Sequence, residues 1–191
     1  MSKVWNLPNM LSMFRILLVI PMGFALWYQE NVIAVMLGFL SGFTDNLDGY
    51  LARRMNQITE LGKMLDPLAD KLLVGIIGII LLMQLRMPVW FAILFWGRDL
   101  LLMLGGLWAR KKVGLVIPSD WVGKLTYTLL AFTLMLMILN LDSITYWGLW
   151  ITSTMLVYSF IHYTIRMLLF IKRKNKEESE INNNLDSINQ Q

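Results

Sequence analysis

Six apolar stretches, each close to the length of a membrane span, dominate this chain: roughly 11 to 28, 32 to 50, 64 to 84, 87 to 108, 123 to 140 and 145 to 170. About twenty apolar residues is what an α-helix needs to cross the hydrocarbon of a bilayer. The fold class that follows is all-α, a polytopic membrane protein with six transmembrane helices. Composition agrees. Of 191 residues 57% are hydrophobic and 16% charged, whereas about 25% of a soluble domain is charged. Polar joints at Gln29-Glu30-Asn31, from Gln84 to Pro88 and from Asn140 to Ser143 carry the signals of short loops. The first apolar run is long and lacks a small-residue cleavage site, so it reads as a span and not as a signal peptide. The absence of cysteine excludes disulfides and thiolate metal sites.

The flanks are different. Residues 1 to 10, with Trp5 and Pro8, suggest a short helix or bend lying at the membrane interface, and composition fits a disordered start equally well. The membrane domain is expected to occupy 1–176. From 177 to 191 the chain turns polar, with Glu177, Glu178, Glu180 and three consecutive asparagines, which suits a disordered tail. Tryptophans and tyrosines such as Trp27, Tyr28, Trp90, Tyr146 and Trp147 fall at the outer helix ends, as an interfacial belt would require. Gly105 and Gly106 suggest close helix contact.

Lysine and arginine placement sets the orientation. Alternate loops and ends hold Lys3; Arg53, Arg54 and Lys63; Arg110, Lys111, Lys112 and Lys124; and Lys172, Arg173, Lys174 and Lys176, whereas the opposite loops hold Arg86 alone. Such asymmetry predicts both termini, and the polar tail, on the cytoplasmic side of the cell membrane. The net charge of +4 is modest, and nothing in its distribution calls for a nucleic-acid partner.

Against this apolar background, Asp45, Asp48, Asp66 and Asp70 stand out. On insertion scales a charged side chain at membrane depth costs roughly 2.5 to 3.5 kcal/mol, so four unpaired aspartates would cost about 10 kcal/mol or more. On a helix, residues three or four apart share a face. Asp45 and Asp48 are three apart, and Asp66 and Asp70 four apart. A short cytoplasmic turn near residues 56 to 59 would let the two pairs face each other as a cage of four carboxylates. Oxygen-only ligation suits Mg²⁺ or Mn²⁺ and not zinc, which prefers histidine or cysteine. Bridging carboxylates also permit two ions, the arrangement that clamps attacking and leaving oxygens during displacement at phosphorus. Gly49 and Gly62 beside the carboxylates, with Ala52 between them, leave room for a bulky ligand. Arg53 is suited to fork onto phosphate oxygens. Pro67 either belongs to the first turn of the third helix or kinks it.

The stretch Asp45-x2-Asp48-Gly49-x2-Ala52-Arg53-x8-Gly62-x3-Asp66-x3-Asp70 resembles the signature of the CDP-alcohol phosphatidyltransferases at all eight defined positions. The resemblance implies six transmembrane helices, a homodimer, and an active site opening toward the cytoplasmic leaflet. It implies that Asp45, Asp48 and Asp66 are metal ligands and that Asp70 is a ligand or the general base. Gly49, Ala52, Arg53 and Gly62 would surround the CDP moiety. The implied reaction moves the phosphatidyl group of CDP-diacylglycerol, drawn from the membrane lipid, onto an alcohol acceptor and releases CMP.

Candidate cations for an anionic acceptor are Arg98, Arg110, Lys111, Lys124 and Arg166, although Arg98 followed by Asp99 reads equally well as an internal ion pair. His162 reads as a hydrogen-bonded packing residue and not as a base. The run Asn6-Leu-Pro8-Asn9 followed by Arg15, with Thr44-Asp45 and Asp66-Pro67-Leu-Ala-Asp70-Lys71, looks most like the phosphatidylglycerophosphate synthases of this family, whose acceptor is glycerol 3-phosphate. Two departures keep the cardiolipin synthases and the inositol-phosphate enzymes open. Arg98 precedes Asp99 where that subfamily usually has glutamate, and Gly123-Lys124 precedes Leu-Thr where Lys-Thr is usual. A cation transporter would also explain acidic residues in membrane helices. It would leave Arg53, the glycines and the clustering at one end unexplained, and the chain has no internal repeat of the transporter kind.

Overall fold

A computed structural model of the chain describes residues 7–54, 60–113 and 120–189, with side chains described except at 7–8, 46, 48–49, 52–53, 60–67, 110–113 and 175–189. The described chain is all helical: α1 Leu7–Trp27, α2 Asn31–Arg54, α3 Glu60–Met83, α4 Val89–Val113, α5 Trp121–Ile138 and α6 Asp142–Asn189. Four helices are long and apolar enough to cross a membrane, in the stretches Asn9–Trp27, Val89–Ala109, Trp121–Ile138 and Asp142–Lys174. A shorter apolar stretch, Asn31–Asp45, belongs to α2. The protein is a multi-pass membrane protein, and each expected apolar window falls on one helix apart from a residue or two at its ends.

The helices run past the expected windows at several ends. α1 begins at Leu7, so Pro8 opens a helix. Proline is tolerated there because first-turn N–H groups have no intrahelical partner. Pro67 lies inside α3, well beyond the first turn, since that helix starts at Glu60. α6 continues to Asn189, through the segment expected to be disordered. The spacing there favours a helix: Arg173 and Glu177, Lys174 and Glu178, and Lys176 and Glu180 are opposite charges four residues apart. The turn expected near residues 56–59 lies outside the described residues.

Contacts divide the chain into two compact units. The first comprises residues 1–89 and 131–148. Here α1 packs against both α2 and α3. Its inner stripe is Leu18, Val19, Met22, Ala25 and Leu26, all buried, and continues toward the helix start as Asn9, Ser12 and Arg15, also buried. Small residues permit the approach. A Cβ at Gly23 would meet Ile76 Cγ2 at 3.5 Å, and one at Gly38 would meet Met22 Cε at 3.3 Å. At the far end, Arg86 Nη1 donates to Asn31 Oδ1 at 3.0 Å and Gln84 Nε2 donates to the Leu26 carbonyl at 2.7 Å.

Three tight connections share one geometry. Gln29, Leu85 and Asn140 have φ of 62°, 59° and 55°. After each, the next N–H reaches back to a carbonyl five residues earlier: Glu30 to Ala25, Arg86 to Leu81 and Leu141 to Leu136. This is a left-handed helix cap in which the last turn's carbonyls find donors. Asparagine tolerates that conformation. Glutamine and leucine adopt it at a cost.

The second unit comprises residues 90–130 and 149–191. Its core includes Phe91, Ala92, Phe95, Leu130 and Leu156. Trp90 rests edge-on against Phe91, with ring centroids 5.8 Å apart, and beside Trp150. Several hydroxyls in this apolar setting return to their own helix. Thr126 donates to the Val122 carbonyl, Ser153 to that of Leu149 and Thr164 to that of Phe160. Such bonds satisfy a donor that hydrocarbon cannot. Gly105 faces Met167 at ordinary contact distance, as its reading as a packing residue requires, whereas Gly106 faces open space.

Candidate active site

The first unit carries the acidic site. Asp45 lies on α2 and Asp70 on α3, both on helices that pack against α1. α1 delivers Arg15 between them. Its Nη1 lies 2.7 Å from Asp45 Oδ1 and 3.0 Å from Asp70 Oδ1. One nitrogen thus touches a carboxylate from each of two helices, and no more than the sum of those lengths separates the two oxygens. The Arg15 side chain is 1% exposed, whereas Asp45 and Asp70 keep 43% and 57% of theirs accessible. A buried guanidinium must be paired, because an isolated charge is strongly disfavoured away from water. The pair also relieves repulsion between the aspartates. Two like charges 4 Å apart repel by about 1 kcal/mol in water and about 4 kcal/mol near a protein surface.

α2 explains why Asp45 faces this way. Its inner side is Ala34, Ser41 and Thr44, all buried, and Thr44 Oγ1 donates to the Ser41 carbonyl at 2.8 Å. Asp48, Gly49, Ala52 and Arg53 follow on the same unbroken helix, and Gly62 and Asp66 precede Asp70 on α3. The spacings of three and four residues therefore run along helical backbone, as expected from the sequence. The side chains of these six residues lie outside the described residues. What the described residues offer an ion is the pair Asp45 and Asp70, hard oxygen donors held close together and accessible. That donor chemistry fits Mg²⁺ or Mn²⁺.

Arg15 is the residue whose part in this site reading the sequence did not bring out. A signal was present, since arginine inside an apolar helix is rare unless it is paired, and Arg15 shares a face with Asn9 and Ser12.

Two polar clusters lie in the second unit. In the first, Arg98 Nη1 contacts Asp99 Oδ1 at 2.6 Å, Arg98 Nη2 donates to Ser159 Oγ at 2.6 Å, and the Tyr127 hydroxyl donates to Asp99 Oδ2 at 2.6 Å. The guanidinium also lies over the Tyr127 ring, 5.4 Å from its centroid. Arg98 and Asp99 therefore form the internal ion pair, one of the two readings open from sequence, with α4, α5 and α6 all contributing. Asp120, just before α5, anchors the second cluster. Its Oδ2 is 3.2 Å from Arg166 Nη1 and 3.6 Å from His162 Nδ1, and its backbone N–H donates to the Tyr163 hydroxyl at 3.0 Å. Gly123 admits that hydroxyl, because a Cβ there would lie 2.8 Å from it. His162 packs beside that carboxylate, but its buried Nδ1 makes no hydrogen bond among the described residues, contrary to the expectation of a hydrogen-bonded packing residue. Lys124, in the first turn of α5, sits 5.6 Å from the Trp121 ring centroid. Arg110 and Lys111 close α4, with side chains outside the described residues. An apolar cavity of about 500 Å³ between α4 and α6 is lined by residues including Leu102, Gly105, Phe160, Tyr163 and Met167. It offers no charged group for chemistry.

The family profile described as CDP-alcohol phosphatidyltransferase matches residues 5–160. The chain belongs to that family. This phosphatidyltransferase is 40% identical to the CDP-diacylglycerol--glycerol-3-phosphate 3-phosphatidyltransferase of Rickettsia typhi, over 71% of its own length and 77% of the relative's. It is 30% identical to the enzyme of the same name from Aquifex aeolicus, over 84% of its length and 95% of the relative's. It is also 38% identical to the human cardiolipin synthase (CMP-forming), over 56% of its length and 36% of the relative's. Of the three subfamily readings open from the sequence, two are represented among these relatives, the phosphatidylglycerophosphate synthases and the cardiolipin synthases.

Proposed function

We propose that this phosphatidyltransferase moves the phosphatidyl group of CDP-diacylglycerol onto glycerol 3-phosphate and releases CMP, at the cytoplasmic face of the cell membrane. The observation that carries the reading is the meeting of Asp45 and Asp70, two fixed positions of the family pattern, at one buried guanidinium. Similarity to relatives named for glycerol 3-phosphate over most of both chains supports the acceptor.

Enzymes of this family generally depend on divalent metal. Asp45, Asp48, Asp66 and Asp70 would hold Mg²⁺ or Mn²⁺, two hard ions on a set of hard oxygens. Bound there, the ions would neutralise charge on the pyrophosphate and on the departing CMP. Gly49, Ala52 and Gly62 would leave space for the nucleotide, and Arg53 would fork onto phosphate oxygens. Asp70 would take the proton from the acceptor hydroxyl as its oxygen bonds to the phosphorus bearing diacylglycerol. The bond from that phosphorus to the CMP oxygen breaks, and CMP leaves with the electron pair. Positioning and charge neutralisation would supply most of the acceleration, as in other phosphoryl transfers.

For the acceptor's phosphate, Lys124, Arg166, Arg110 and Lys111 are the proposed cations. Arg98 is the weaker candidate, being 6% exposed and engaged by Asp99 and Ser159. A homodimer, six spans and cytoplasmic termini complete the proposal, and the lysine and arginine asymmetry supports that orientation.

The deciding experiment uses purified protein in detergent with CDP-diacylglycerol, Mg²⁺ or Mn²⁺, and glycerol 3-phosphate, phosphatidylglycerol or inositol phosphate. CMP release with glycerol 3-phosphate is expected. Release with phosphatidylglycerol alone would make the protein a cardiolipin synthase, the second reading that the human relative favours. No CMP with any acceptor would reopen the transport reading, which family membership weighs against.

A further inference from the structure

We propose that Arg15 is a positioning residue for the carboxylate site, holding Asp45 and Asp70 together so that their remaining oxygens are preset for a divalent ion. The proposal rests on the reading of these aspartates as metal ligands, and Arg15 is not among the eight positions of the family pattern.

Three observations carry it. The guanidinium is 1% exposed and sits on the α1 stripe that packs into the first unit, beside the equally buried Ser12 and Asn9. A side chain so enclosed has little freedom to swing away. Its single Nη1 engages one oxygen, Oδ1, of each carboxylate, at 2.7 and 3.0 Å. Each aspartate has a second oxygen, and each keeps a large accessible fraction. Without Arg15, two like-charged side chains on different helices would repel and separate, and an ion would have to gather them again on binding. With it, folding of α1 against α2 and α3 has already brought them together. Outer partners that orient ligating carboxylates commonly matter 10- to 100-fold for metal affinity.

The alternative is competition, in which Arg15 occupies the ion's place and its removal tightens binding. The two ideas predict opposite signs. The test is Mn²⁺ affinity of the full-length protein in detergent without CDP-diacylglycerol, by electron paramagnetic resonance and calorimetry. Arg15→Met is expected to weaken binding by about 10- to 100-fold. Arg15→Lys, which keeps the charge on a shorter side chain whose nitrogen cannot reach the place of Nη1, is expected to fall between, and to raise the Mn²⁺ needed for half-maximal turnover more than it lowers the rate at saturating Mn²⁺. Leu26→Ala, which removes a fully buried side chain of the same helix, is expected to lower the thermal midpoint and leave Mn²⁺ affinity unchanged. That control separates positioning from general loss of packing.

Unchanged or tighter Mn²⁺ binding by Arg15→Met overturns the proposal and leaves the metal reading standing. Should that variant fail to fold, Arg15→Lys decides, and wild-type affinity in it overturns the proposal. An unsubstituted protein that binds no Mn²⁺ overturns the metal reading itself, and the role of Arg15 with it.

Discussion

At Asp70 one carboxylate has two partners to serve. Arg15 holds its Oδ1, and 57% of the side chain is accessible, which suits the proposed contact with an acceptor hydroxyl. Asp70→Asn keeps the shape and removes the basicity. CMP release is expected to fall by at least about 100-fold, the lower end of what a general base contributes, while the gel-filtration profile stays that of the folded protein. Near-normal turnover would take the base role from Asp70. Gly123 makes a steric point instead. A Cβ 2.8 Å from the Tyr163 hydroxyl must push that ring aside and disturb the bond it accepts from the Asp120 N–H, so Gly123→Ala should destabilise by about 1 kcal/mol. Gly106→Ala, into open space, should leave the thermal midpoint unchanged or raise it, because alanine is the better helix former. The residue types at these positions are plain from the sequence. Their partners are not, because spacing along one helix carries no information about which side chain of another helix it meets.

Elements were legible to different degrees. The apolar windows match helices because satisfying backbone groups inside hydrocarbon leaves a long apolar segment little other choice. Their ends were harder, as the start of α1 at Leu7 and the extension of α6 to Asn189 illustrate. Charges four residues apart can carry a helix beyond the apolar stretch, and polarity alone gives no sign of that extension. The loop signals at Gln29, Leu85 and Asn140 did mark true helix ends, each closed by a left-handed residue. A non-glycine residue in that conformation is strained by roughly 1 to 2 kcal/mol. Replacing Gln29, whose φ is 62°, with glycine should therefore raise the thermal midpoint in detergent, by a gain of up to about 1 kcal/mol after the extra freedom of glycine in the unfolded chain is subtracted. A lowered midpoint would mean that the glutamine side chain contributes more than the backbone strain it carries.

At the scale of the whole molecule, orientation is the property most open to test. The chain has no cysteine, so a single introduced thiol reports its own side of the membrane. Gln29→Cys is expected to react with an impermeant maleimide on intact cells, and Lys174→Cys only after permeabilisation. The reverse pattern would invert the topology argued from Lys3, Arg53, Arg54 and the other inner cations. By itself the sequence determined the all-helical membrane class and, through eight positions at fixed spacing, the family and its chemistry. Both are local properties, set by the length of apolar runs and by the turn of one helix. Tertiary structure decided what meets what. It seated Arg15 of α1 against an aspartate 55 residues away and another on α2, and it brought Ser159 of α6 to Arg98 and Tyr127 of α5 to Asp99. Such pairings arise only when separate helices pack, because a charge in an apolar interior is stable where the fold brings it a partner and nowhere else.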